Sequence, residues 1–143
     1  MTGEGDLRAE LEHALAEVDT SLVPRLPLLG PALGLTLEDN ELTRTFDAKL
    51  RKSSLESLLL RYLTLRATDE PLVLVLEDCH WLDPLSVDLL EVLARAVAAL
   101  PVLVVLTYRP GSFRAPPLPH TTLVQLDQLD ALSCRQLLTT RCV

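Results

Sequence analysis

Basic charge is in short supply in this chain: 13 Lys and Arg stand against 20 Asp and Glu, for a formal net charge of -7 and a pI near 4.9. A surface of that sign repels phosphate backbones and anionic headgroups, which argues against a broad nonspecific nucleic-acid or membrane-surface role. Cysteine is scarcer. Cys79, Cys134 and Cys142 are an odd number with no CxxC and no dense framework, a pattern that suits a reducing cytosol rather than a disulfide-stapled fold. No uninterrupted apolar run approaches the ~20 residues of a spanning helix, and the acidic opening MTGEGD is unlike a secretory signal.

What is present is enough for one domain with a real core: 143 residues, 48% of them apolar. Residues 6–19 carry Leu7, Leu11, Leu15 and Val18 at helical spacing and predict a short amphipathic helix. His13 lies on it with nothing nearby to complete a metal set, so it reads as a surface residue. Residues 20–36, TSLVPRLPLLGPALGLT, mix prolines and glycines with leucines and read as an irregular apolar connection with at most a short helix around Leu26 to Leu29. Those leucines must pack against something. After a polar interval, Leu50 to Ala67 predicts a helix with Leu55, Leu58, Leu59, Tyr62 and Leu63 on a broad apolar face. Arg44, Lys49, Arg51 and Lys52 beside it form the one notable basic cluster, read as a solvated face rather than a phosphate site.

The most informative stretch is PLVLVLEDCHWLDP, Pro71 to Pro84. Leu72 to Leu76 is a continuous apolar run with Pro71 before it and two carboxylates, Glu77 and Asp78, behind it, as expected of a buried parallel strand. Acids at the carboxyl edge of such a strand are placed to hold a divalent cation or polarise water, although turn residues after strands are also acidic for solubility alone. Cys79 reads as a small buried hydrophobe rather than a nucleophile. Asp83 is a good N-cap and Pro84 a good first residue for a helix running to about Ala99, with Leu85, Leu89, Leu90, Leu93 and Val97 on its apolar face.

A second buried strand, VLVVL at 102–106, follows and ends in Thr107, Tyr108, Arg109 and Pro110. Strand, helix, strand implies a right-handed parallel crossover, which brings Glu77/Asp78 and Thr107/Arg109 to one edge of one sheet. Carboxylates there can take a cation while a guanidinium and a hydroxyl meet anionic oxygens. The proline-rich GSFRAPPLPH reads as a linker, TTLVQL at 121–126 as a third strand, and Leu129, Leu132, Leu137 and Leu138 as a closing helix with Ser133 as its N-cap.

Together, LVLVLEDCHWLDPLSVDLLEVLARAV and LPVLVVLTYRP resemble the ATPase module of the AAA-like STAND group, found in large bacterial signalling proteins beside adenylate/guanylate cyclase domains or LuxR-type DNA-binding domains. The likeness runs from about Leu26 to Leu138. It implies an α/β fold, a partial P-loop NTPase-like three-layer sandwich on a parallel sheet, with residues 1–50 as a helical and irregular lead-in and 51–138 as the core. By the resemblance Leu72 to Asp78 is the Walker B strand, and Glu77 and Asp78 share the roles of Mg²⁺ ligand and polariser of the attacking water. His80 and Trp81 form a loop packed over the strand edge, while Thr107 and Arg109 stand at the sensor 1 position beside the γ-phosphate of ATP.

No G-x-x-x-x-G-K-[ST] occurs in the sequence. Without that loop there is no backbone cradle for the α/β-phosphates and no lysine for the β/γ pair, so ATP binding and turnover by this chain alone are expected to be poor. The family's first strand, central in its sheet, is missing as well, so the expectation is an N-terminally truncated module. Its partners would be an upstream P-loop segment and the C-terminal helical or effector domains of a larger cytoplasmic parent, with neither nucleic acid nor membrane bound directly. Two other readings stay open: a degenerate, non-catalytic interaction or regulatory domain, and an unrelated metal-dependent hydrolase using Glu77, Asp78 and His80.

Overall fold

The computed structural model describes residues 4–113, 115, 118, 120–128, 130–132, 135, 136 and 139. The first helix, α1, spans Glu4–Val18. Asp19 ends it and begins the next element, since its carboxylate accepts the Ser21 amide at 2.9 Å. The chain then runs through a ten-residue 3₁₀ segment, Thr20–Leu29, and one short turn of helix, α2, Gly30–Leu33. This segment is more regular than the irregular connection predicted from its prolines. Pro24 and Pro27 both sit inside the 3₁₀ segment, whose tighter winding brings Leu22, Leu26, Leu28 and Leu29 into burial. At its far end Gly30 must stay a glycine, because a Cβ there would stand 2.9 Å from the Leu35 carbonyl oxygen.

The polar interval that follows is a built corner. Asn40 Oδ1 accepts the amides of Leu42 and Thr43 at 3.0 and 2.9 Å, and its Nδ2 reaches back to the Pro24 carbonyl at 2.7 Å. Thr43 is fully buried and donates to Asp39 Oδ1 at 2.8 Å. Arg51 closes the corner on Asp39 and on the Thr43 carbonyl. The basic cluster is thus divided: Arg51 is spent on this corner and Lys52 pairs with Asp88 at 3.1 Å, while Arg44 and Lys49 are exposed.

The long helix, α3, runs Ala48–Asp69, opened by Asp47, whose carboxylate accepts the Leu50 amide at 2.7 Å. Its Leu58 is fully enclosed and joins Leu15, Leu22, Leu26 and Leu29 in one cluster, with Leu55, Leu59 and Tyr62 packed around it. The leucines of the 3₁₀ segment therefore pack between α1 and α3, as they must.

After α3 come strand β1, Leu72–Leu76, helix α4, Pro84–Val97, and strand β2, Val102–Leu106. The strands pair in parallel with Leu72 opposite Val102 and Leu76 opposite Leu106. This is a mixed helix and strand architecture on a small parallel sheet, consistent with a partial P-loop NTPase-like α/β fold. One face of the sheet is sheltered; on the other, Val73, Val75 and Leu103 are exposed, so among the described residues the sandwich is not closed on that side.

The expected third strand does not form. Residues 121–128 carry no strand, and among the described residues the sheet has two members. Leu123, Val124 and Leu126 are exposed. A strand exists only through a neighbour's amides and carbonyls, and here the segment takes neither edge of the sheet. Described residues 131, 132, 135, 136 and 139 are helical; Ser133, Leu129, Leu137, Leu138, Cys134 and Cys142 lie outside the described residues. Among the described residues no helix is long and apolar enough to cross a membrane.

Candidate functional site

The parallel register carries both strand ends to the same edge. Past the last strand pair, the Thr107 amide donates to the Leu76 carbonyl at 3.0 Å, and the Thr107 carbonyl accepts the Cys79 amide at 2.9 Å. The Thr107 hydroxyl then accepts the Asp78 amide at 3.2 Å. One residue after β2 thus holds three consecutive peptide units after β1. The convergence of Asp78 with Thr107 expected from the crossover is found, and its agent is Thr107 itself. The sequence signal for this was the equal length of the two apolar runs, which sets Thr107 opposite the acidic pair that follows β1.

Held in this way, Asp78 adopts a left-handed backbone, φ 53° and ψ 38°. Asp is one of the few non-glycine residues that visit this region, at some cost. The turn throws Cys79 inward and starts a single 3₁₀ turn, Cys79–Trp81. Cys79 is fully buried; its thiol donates to the Leu76 carbonyl at 3.3 Å, and burial pushes its pKa above the ordinary 9.0. A thiol held neutral is a packing residue, not a nucleophile.

His80 and Trp81 part company. The imidazole is enclosed, its side chain 6% exposed, whereas Trp81 is 79% exposed. The ring centroids are 5.2 Å apart at 38°. Of the two residues expected to pack over the strand edge, Trp81 does not and His80 is enclosed, because successive residues of a tight turn point in different directions. The loop's far end is fixed by Asp83, as the sequence predicts: its carboxylate accepts the Leu85 and Ser86 amides at 2.8 and 3.0 Å and the Ser86 hydroxyl at 2.9 Å. Those bonds, the Ser86 amide first, hold the Asp83 carboxyl below its ordinary 3.8.

Both acids at the edge are exposed. Asp78 presents 73% of its side chain to solvent, with His80 Nδ1 3.8 Å from its Oδ1. Among the described residues Glu77 and Arg109 engage no protein partner through their side chains, and Arg109 is exposed. The structure therefore joins Asp78 to Thr107 and leaves Glu77 and Arg109 on the same edge but unengaged. No group of three or more potential metal ligands occurs among the described residues, so a closed, all-protein metal cage is not present there.

Residues 4–105 match the family model described as "AAA ATPase domain". The chain is also similar to "Uncharacterized protein R02095" of Rhizobium meliloti (strain 1021), 39% identical over 93 residues, which are 65% of this chain and 9% of that protein. The chain thus spans a small part of the curated relative it matches. No solved structure matches it.

Proposed function

Since the chain belongs to the AAA ATPase domain family, we propose that it supplies the cation-binding and nucleotide-sensing half of an ATP-dependent module. Members of this family generally use ATP with Mg²⁺. The observation that carries the reading is the Thr107 clamp: the peptide units that bear the acids and the residue that follows β2 are hydrogen-bonded into one unit. A displacement at one strand end is therefore imposed on the other, which is what a site that reports a bound nucleotide needs.

The donor set fits Mg²⁺ better than a tighter-caged metal. Mg²⁺ keeps several waters and takes one or two carboxylates together with phosphate oxygens, and Asp78 and Glu77 are two exposed carboxylates with no Lys or Arg paired to them among the described residues. Bound there, the cation would neutralise charge on the phosphate oxygens. Glu77 and Asp78 share the work of holding it and of polarising the attacking water. Thr107 Oγ1 spends a lone pair on the Asp78 amide and keeps its own proton for an anionic oxygen. The Arg109 guanidinium is free to meet a second one. The phosphate cradle does not fit this sequence, which has no G-x-x-x-x-G-K-[ST]. The α/β-phosphates would be held by a segment outside it, and this chain alone would bind ATP weakly.

The setting proposed is a bacterial cytoplasmic signalling or transcriptional regulator of the STAND type, with 1–50 as lead-in and 51–138 as the Walker B to sensor 1 core. Its partners there would be an upstream P-loop segment and C-terminal helical or effector domains. The relative's length supports a multidomain parent, since the matched part is 9% of it. Calorimetry of Mg²⁺-ATP on this chain, beside a version extended upstream, tests the reading. We expect weak binding by the chain, strong binding by the extension, and loss of Mg²⁺ dependence in the Glu77→Gln/Asp78→Asn double variant. An extended protein that binds nucleotide no better than the chain would instead support the non-catalytic interaction domain, the reading favoured by the missing phosphate loop.

A further inference from the structure

His80 is enclosed yet unpaired. Its side chain is 6% exposed, and neither Nδ1 nor Nε2 has a hydrogen-bond partner in the protein. Buried side-chain nitrogens are seldom left that way. The nearest charged atom is Asp78 Oδ1, 3.8 Å from Nδ1. That is beyond a hydrogen bond, but within reach of a small rotation by a carboxylate that is otherwise unengaged.

The two side chains differ in freedom. The imidazole is boxed by its burial and by the neighbouring indole, and the turn that carries it is tied to β2 through the Cys79 amide and to β1 through the Cys79 thiol. The Asp78 backbone is fixed in the left-handed region by the bond of its amide to Thr107, so only the carboxylate is left to turn.

We propose that His80 is a positioning residue for Asp78: Nδ1–H donates to Oδ1, and the second carboxylate oxygen is thereby aimed outward over the sheet edge. No proton changes hands. The hydrogen on Nδ1 makes the bond, and the bond selects which way the carboxylate faces. A histidine behind a carboxylate serves here as a histidine's own outer partner does in metal sites, fixing direction before a ligand arrives. The purpose of this bond rests on the reading of Asp78 as a cation ligand; its existence does not.

Long-range ¹H–¹⁵N NMR of the metal-free 143-residue chain, with the imidazole neutral, reads the bond directly. The His80 signal is identified by its loss in His80→Asn. We expect the Nδ1–H tautomer in the wild type and reversion to Nε2–H in Asp78→Gly, a change that removes the carboxylate and suits the positive φ. An Nε2–H tautomer in the wild type, or the same tautomer in both proteins, overturns the proposal. Mn²⁺ binding followed by water-proton relaxation supplies the second arm. His80→Leu should bind about tenfold more weakly, with His80→Asn, which keeps an N–H near the Nδ1 position, recovering most of that loss. His80→Gln, whose N–H lies nearer the Nε2 position, should behave as His80→Leu. Equal Mn²⁺ affinity in wild type and His80→Leu overturns the positioning role. If no variant and no wild type binds Mn²⁺, the cation reading of Asp78 fails, and the tautomer result still decides the hydrogen bond.

Discussion

The helical region from α1 through α3 and the strand–helix–strand unit of this molecule are built to different standards. In the helical region, Leu15, Leu22, Leu26, Leu29 and Leu58 are each no more than 8% exposed and touch one another in one cluster, and a polar corner of Asp39, Asn40, Thr43 and Arg51 ties the 3₁₀ segment to α3. In the unit that bears the candidate site, every strand residue is at least partly exposed, and Val73 is 66% exposed. Stability therefore resides mainly where no chemistry is expected. The chemistry sits on a small sheet tied by hydrogen bonds at its edge, and its crossover helix α4 packs on α3. Functional edges commonly lie at the low-stability end of a fold, and this molecule separates the two along its length.

Leu58→Ala strikes the packed side of that contrast hardest. It should cost about 3 kcal/mol, read as a lower urea midpoint with an unchanged slope. Thr107→Val tests the other side: losing the acceptor of the Asp78 amide should cost about 1 kcal/mol. Amide exchange should quicken at Asp78 and Cys79 and stay unchanged in α1. Asp78→Gly should reverse the sign, raising the melting temperature by relieving a left-handed Asp, with a gain of roughly 0.5–1 kcal/mol; a lower melting temperature would show that the carboxylate itself holds the turn.

Acid should act on both regions. Asp39 lies below its ordinary 3.8 because Arg51 and then Thr43 hydrogen-bond it, Asp19 because Ser21 does so, and Asp83 because Ser86 does. A carboxyl depressed in the folded state stabilises it above the unfolded value and loses that contribution as pH falls through the folded one. Stability should therefore hold level down to about pH 4 and then fall, with Asp39→Asn flattening the drop in a circular-dichroism titration. The smallest effect belongs to the open sheet face: Val73→Thr should shift stability by less than about 0.5 kcal/mol. A larger loss there would mean that the face is covered in solution.

The readable parts of the fold were those whose cause is local. LVLVL and VLVVL announce parallel strands because neither alternates. Asp83–Pro84 announces a helix start because cap and first residue are adjacent, and the edge shared by Asp78 and Thr107 follows from the crossover alone. The hidden parts depend on partners far away or on a backbone state that the sequence merely permits. Pro24 and Pro27 look like breakers, yet the segment winds as a 3₁₀ helix because its leucines are drawn between α1 and α3. TTLVQL has strand composition and finds no edge to join. The enclosure of His80 and the exposure of Trp81 both stem from the left-handed turn at Asp78, which Asp tolerates and no neighbouring residue advertises.

The pairing of Leu72 with Val102 also sets a sequence in time. The contacts of α1 with the 3₁₀ segment link residues close along the chain and can form within local searches. No rung of the β1–β2 ladder exists until a closed loop of some thirty residues, α4 included, has brought the ends together, and such closures are the slow steps of small domains. The Thr107 clamp sits beyond the last rung, so it is set after the ladder beneath it. On refolding, the packing of α1 on the 3₁₀ segment should be in place before Asp78 is turned to its final position, and the candidate site forms no earlier than the sheet beneath it.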